Sequence, residues 1–191
     1  MSSIETKEAI MNTALKMFSE KGYAAVSMRD ISGEVGIRAS SIYYYFKSKQ
    51  DIFDALIQMV DSITDNLKDG FEKALGSTEK VKCDDFVRVG KAFVTGYLNN
   101  EKIGTILHML ETERFHDPKA DEVWKNMLFT NPIENAKEVF EVLYKRKLIK
   151  DKDAARLASE YHGIIMIGYF TEDMDMLDLM LRTFHKRVFG G

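Results

Sequence analysis

The 191-residue chain has very little cysteine and very little proline. Its one cysteine, Cys83, cannot close an internal disulfide and cannot by itself build a zinc site. Its two prolines, Pro118 and Pro132, leave long stretches free of the residue that most strongly interrupts helices, which favours long helices. No run of about 18 uncharged apolar residues is present, so no membrane span is expected. The opening Met1-Ser2-Ser3-Ile4-Glu5 meets polar and acidic groups at once, unlike a secretory signal, and the expected location is a reducing cytoplasm. The few histidines (His108, His116 and His162 among them) stand apart from one another, and no phosphate loop, nucleophile elbow or paired catalytic acids occur. No enzyme, metal or cofactor is therefore expected.

Nor is there a strong excess of one charge: 27 basic and 30 acidic residues leave a net of −3. That average conceals a modest split. Residues 1–50 hold seven Lys/Arg against five Asp/Glu, a net of +2, whereas the rest of the chain carries −5. The N-terminal quarter is thus a different electrostatic object from the remainder.

What is present is helical periodicity almost throughout. Ile10, Ala14 and Phe18, with Met11 and Leu15, form an apolar stripe that Gly22 ends. Ser27-Met28-Arg29-Asp30 has the spacing of a capping box, with Val26 and Ile31 placed for a hydrophobic staple, and predicts a short helix from Met28 to Val35 closed by Gly36. A third short helix is expected over Ala39–Tyr45, anchored by Ile42 and Phe46. Ser48-Lys49-Gln50-Asp51 is a second cap signature, followed by helical spacing from Ile52 through Met59 and Ile63 to Leu75. Helix, short helix, tight turn, short helix is the helix-turn-helix pattern. Tyr43, Tyr44 and Tyr45 are consecutive and so span about 200° of a helix; they cannot all point inward. With Ser40 and Ser41 at the helix start, Arg38 before it and Lys47 and Lys49 after it, this surface suits a DNA major groove and its phosphate rims. Spacing alone leaves plain packing open as the alternative.

At this point the sequence resembles the TetR/AcrR family of transcriptional regulators. The resemblance covers about residues 6–52 and rests on Thr6, Ile10, Ala14, Phe18, Gly22-Tyr23, Val26-Ser27, Ile31, Gly36-Ile37, Ile42-Tyr43-Tyr44-Tyr45-Phe46 and Lys49 in unbroken register. It implies that Ser27 contacts a phosphate, that Arg29 meets phosphate or a groove edge, and that Arg38, Ala39 and Ser40 face bases. It also implies that Tyr43 and Tyr44 touch phosphates or thymine methyls and that Lys49 holds a phosphate. The sequence departs from the family pattern at Arg38, Ala39 and Ser40, where Ser or Thr, Lys or Arg, and Gly are common. Arg38 could read guanine or bind only backbone.

The rest of the chain has helical spacing and no comparable fingerprint. The expected fold class is all-α: a helix-turn-helix DNA-binding domain at 1–50 and a larger helical effector-binding and dimerisation domain at 51–191. The fourth helix is expected to join them. In the middle helices Met59, Ile63, Phe93, Tyr97, His108, Trp124, Met127 and Phe140 could line a cavity for a small apolar or amphipathic molecule, or could be ordinary core. The segment 161–170 is apolar around most of its circumference, and Leu177, Leu181 and Phe184 line the helix after it, so burial on two sides is expected. One side plausibly meets a second copy; Tyr161, Ile165, Tyr169, Leu177, Leu181 and Phe184 are the expected interface, with His162 hydrogen-bonded there. The resemblance implies a homodimer through the last two helices, palindromic operator DNA and a small-molecule effector of unspecified identity, hence a ligand-responsive regulator, most naturally a repressor. The alternative from another class is a helical ligand-binding or protein-interaction module without operator binding.

Overall fold

A stripe of apolar residues at helical spacing makes α1 (Ser3–Lys21) bury Ile10, Ala14, Leu15, Met17 and Phe18 along one side. Gly22 then reverses the chain with φ +81°, a left-handed conformation that a residue lacking Cβ adopts without strain. The computed structural model describes residues 3–60 and 79–190. Among these there is no β-strand.

The short helices form as their caps dictate. In α2 (Met28–Val35) the Ser27 side chain accepts the Asp30 N–H, and the Asp30 carboxylate accepts the Ser27 N–H at 2.8 Å. Gly36, at φ 78°, closes the helix. Then α3 (Ala39–Tyr45) follows, with Ile42 and the adjacent Phe46 buried. Asp51 accepts the Lys47 N–H and the Ser48 hydroxyl at the start of α4 (49–60), and Ile52, Phe53, Leu56 and Val60 face inward. The predicted continuation through Ile63 to Leu75, and with it the joining role of this helix, lies outside the described residues.

Beyond residue 79 come α5 (Cys83–Ala92), α6 (Glu101–Glu113), α7 (Pro118–Lys125), α8 (Asn131–Lys145), α9 (Ala154–Thr171) and α10 (Met174–His185). Three of these pass into wider π-helical turns, at Phe93–Leu98, Asn126–Thr130 and Lys186–Gly190. The spacing predicts continuous α-helix over 82–99 and 118–129, so the widened turns are a difference. The helix expected from residue 151 begins at Ala154, because the Asp153 side chain caps it by accepting the Arg156 N–H.

The chain forms two compact units, and neither is continuous in sequence. The first comprises Met1–Asn66 with Glu101–Trp124; the second comprises Leu67–Asn100 with Lys125–Gly191. In the first, α6 packs along α1 and buries Ile103, Ile106, Leu107, Met109 and Leu110. In the second, α8 packs on α9 and α10 on both α5 and α9. Its core contains Phe140, Leu143, Leu157, Ala158, Phe184 and Val188. This division does not fall at residue 50: α6 and α7 pack with the N-terminal helices.

Candidate nucleic-acid interface

The first unit presents α3 with one side anchored and the other bare. Ile42 and Phe46 are buried, while Arg38, Ala39, Ser40, Tyr43 and Tyr44 are exposed, the two tyrosines to 52% and 82%. Tyr45 is half-buried, its ring edge-on to Tyr44 at 5.2 Å. Arg38 caps α3 through its backbone alone, with no side-chain hydrogen bond at the cap. Arg29 is exposed on α2. The exposed residues of α3 are polar and aromatic, with small side chains at the helix start and Arg38 before it, chemistry suited to a DNA groove and its phosphate rims.

Two of the expected phosphate contacts have other partners. The Ser27 hydroxyl donates to the Asp30 carboxylate at 2.6 Å while accepting the Asp30 N–H, so its hydrogen-bonding capacity serves the cap of α2. Hydrogen bonding to Ser27 in turn holds the Asp30 carboxyl below its usual range. The Lys49 ammonium donates to the carbonyl oxygens of Tyr23 and, at 2.7 Å, Val26, and stands 4.2 Å above the Tyr23 ring. Burial lowers its pKa, against the favourable charge of Glu113. Lys49 therefore fixes the turn leading into α2.

Two cations complete this surface. Lys47 is exposed just after α3, and Lys7 of α1 lies 5.5 Å from the Phe46 ring, at the end of the same helix. Lys47 is visible as a flanking charge in the sequence. Lys7 is 39 positions from Phe46, and no local pattern signals their meeting.

The expected effector residues do not form one constellation within either unit. Ile63 lies outside the described residues. Met59, His108 and Trp124 belong to the first unit, whereas Phe93, Tyr97, Met127 and Phe140 belong to the second. His108 is exposed on α6, its neighbours Ile106, Leu107 and Met109 having taken the inward positions. Trp124 is half-buried beneath the Arg114 guanidinium at 3.6 Å. Phe93 and Tyr97 stack on each other at 5.0 Å in the first widened turn, and Met127 is buried in the second. Phe140 packs 5.9 Å from Phe184 inside the core of the second unit, the ordinary-core alternative for this residue. A cleft in the first unit, lined by Tyr23, Gln50, Phe53, Glu113, Asp117 and Ala120, encloses about 10 Å³, room for at most one water.

The residues expected at an interface on the last two helices are mostly packed inside the second unit. Ile165, Leu177, Leu181 and Phe184 are buried within the second unit itself, and Tyr161 packs against Phe86 and Phe184. His162 is buried there as well, its Nε2 at 2.6 Å from the Leu128 carbonyl. Tyr169 is half-buried. The residues that α9 and α10 turn outward are Ile167, Phe170, Met176 and Leu179, with Phe170 61% and Leu179 66% exposed. The two helices are apolar on two sides, and the sequence pattern alone cannot say which stripe faces α5 and α8.

Comparisons with known proteins agree with this geometry. Residues 10–56 match the bacterial regulatory proteins of the tetR family. The negative transcriptional regulator IcaR of the Staphylococcus aureus (strain Newman) biofilm operon icaADBC is 34% identical over 61 residues, 32% of this chain and 33% of that relative. The match thus spans about a third of the length of the curated relative. Over the whole fold, a TetR transcriptional regulator from Chloroflexus aurantiacus superposes with a TM-score of 0.64 at 21% identity, covering 97% of this chain and 96% of its own. A gamma-butyrolactone receptor, an ArpA-like protein, superposes with a TM-score of 0.67 at 14% identity, covering 100% and 91%. The N-terminal segment thus matches the tetR family of bacterial regulatory proteins, and the chain as a whole shares the fold of solved TetR-type regulators.

Proposed function

We propose that the protein is a cytoplasmic, ligand-responsive transcriptional repressor that binds palindromic operator DNA as a homodimer. The observation that carries the reading is the bare face of α3: Arg38, Ala39, Ser40, Tyr43 and Tyr44 exposed over a buried Ile42 anchor. Arg38 would reach a base edge or the phosphate beside it, and Tyr43, Tyr44, Arg29, Lys47 and Lys7 would hold the backbone. Ser27 and Lys49 would act indirectly, by fixing α2 and the turn before it.

A two-fold dimer sets two recognition helices about 34–36 Å apart, one helical turn of DNA. The outward residues Ile167, Phe170, Met176 and Leu179 support a self-complementary contact between copies. Repression is supported by the negative regulator IcaR, and response to a small apolar or amphipathic molecule by the fold shared with a gamma-butyrolactone receptor. Such a ligand would act by preferring a helix arrangement that holds the half-site spacing poorly. The protein has no enzymatic role in this reading.

The test is selection of duplexes from random DNA by the purified protein, followed by affinity measurement. An inverted repeat is expected, and Arg38→Ala should weaken binding to it by about 5- to 150-fold if Arg38 reads a base. Failure to enrich any inverted repeat would overturn the proposal.

A further inference from the structure

The turn joining α1 to α2 is held from outside the matching N-terminal segment. After Gly22 the Tyr23 backbone N–H, 90 residues away in sequence, donates to Glu113 Oε1 at 2.7 Å. Glu113 is the last residue of α6, the helix that packs along α1. The carbonyl side of the same turn is held by Lys49, which takes the Tyr23 and Val26 oxygens. Tyr23 itself is fixed: its ring meets Phe18 and Phe53 edge-on at 5.0 and 5.5 Å, and its hydroxyl donates to Gln50 Oε1 at 3.2 Å. The turn then runs through buried Val26 into Ser27, the cap of α2.

One amide and three carbonyls, those of Tyr23, Ala24 and Val26, of a six-residue turn are therefore held by two charged side chains from different helices. The contact on the amide is an ionised carboxylate accepting from backbone, the stronger class of hydrogen bond. Its geometry is tight. A Cβ at position 22 would lie 3.3 Å from Glu113 Oε1, on a backbone already at φ +81°. The carboxylate thus sits against the point where the chain reverses.

We infer that Glu113 is a positioning residue for the DNA-binding helices, setting the entry of α2 by its hydrogen bond to the Tyr23 amide. The inference rests on the operator-binding reading above. Withdrawal of the α6 end by more than a hydrogen bond tolerates frees one side of the turn, so operator affinity depends on where residue 113 stands.

The experiment compares the full chain with Glu113→Gln, Glu113→Asp and Glu113→Ala. It measures affinity for the selected inverted repeat at fixed salt, exchange of the Tyr23 amide, and thermal midpoint. The Gln side chain has the same reach and an acceptor oxygen; the Asp side chain keeps the charge and loses the reach. Expected are Gln affinity within about threefold of the parent, and losses of about tenfold for Asp and Ala, matching the worth of one hydrogen bond to a charged group. Tyr23 exchange should accelerate by a similar factor in the Asp and Ala variants only. Ala affinity within about twofold of the parent overturns the inference, as does unchanged Tyr23 exchange. Retention by Asp with loss by Gln shows an effect of charge and overturns it too. If Ala does not fold, the Asp and Gln pair decides. A parent protein that selects no operator overturns the functional reading and this one together; a binding parent with an equally binding Ala variant overturns this one alone.

Discussion

His162 has one hydrogen-bond partner of consequence, the Leu128 carbonyl, and its buried ring lies edge-on 6.0 Å from Phe129. Burial pulls its pKa below the usual histidine value, and the carbonyl only partly opposes this. With the folded pKa below the unfolded one, the unfolded chain takes up a proton first as the solution is acidified. Stability contributed by neutral His162 is then complete above about pH 6.5 and is lost as pH falls toward the lower, folded value. Urea unfolding between pH 8 and 5 should show this decline, and His162→Gln should flatten it while lowering stability at pH 8 by about 1–3 kcal/mol. Parallel slopes for the two proteins would refute the assignment. At this scale, the sequence spacing brings out the exposed tyrosines of α3, because three consecutive aromatics cannot share one buried face. It hides the partners of Ser27, Lys49 and Glu113. A side chain's polar atom shows its type in the sequence, but which of several acceptors it reaches is settled only by packing.

Elements bounded by local chemistry were readable, and those shaped by their neighbours were not. The limits of α2 follow from Ser27, Asp30 and Gly36, all within ten positions. The widened turn at Phe93–Leu98 has six residues, too few for apolar spacing to separate its period from that of an α-helix. The pair α9 and α10 shows the same division: their apolarity was legible, the inward stripe was not. Close approach of the two helices selects it. A Cβ on Gly168 would lie 2.9 Å from Leu177 Cβ, an atom that cannot rotate away. Gly168→Ala should therefore destabilise the fold by about 1–3 kcal/mol despite its better helix propensity, read as a lower urea midpoint. Gly163, with open space around its Cβ position, should accept Ala without such a loss, and equal effects at both sites would disprove the packing argument.

Over the molecule as a whole, the apolar surface left on the second unit bears on association. Ile167 and Phe170 from α9, with Met176 and Leu179 from α10, are large side chains facing outward. Leu179→Glu places a charge there without entering the core, so the far-ultraviolet spectrum and thermal midpoint of the monomer should be preserved. If the proposed homodimer forms through this face, sedimentation should show its affinity weakened by at least about tenfold, since an unpaired carboxylate would be desolvated at the contact. Leu177→Ala, inside the unit, should do the reverse: lower stability by about 2–5 kcal/mol with association following only as folding fails. A dimer unaffected by Leu179→Glu would place the contact elsewhere.

The interrupted path of the chain through its first unit also has a consequence for synthesis. The apolar side of α1 is covered by α6, whose residues Ile103, Ile106 and Leu110 are made only after the intervening segment that belongs to the second unit. At roughly 5–20 residues per second, several seconds of translation separate α4 from the end of α7. Through that interval the nascent helix-turn-helix lacks both its α6 cover and the carboxylate at Tyr23, and its exposed α1 stripe is open to chaperones. The emerging chain should thus complete the packing of its first unit late, near the point where Trp124 clears the ribosome.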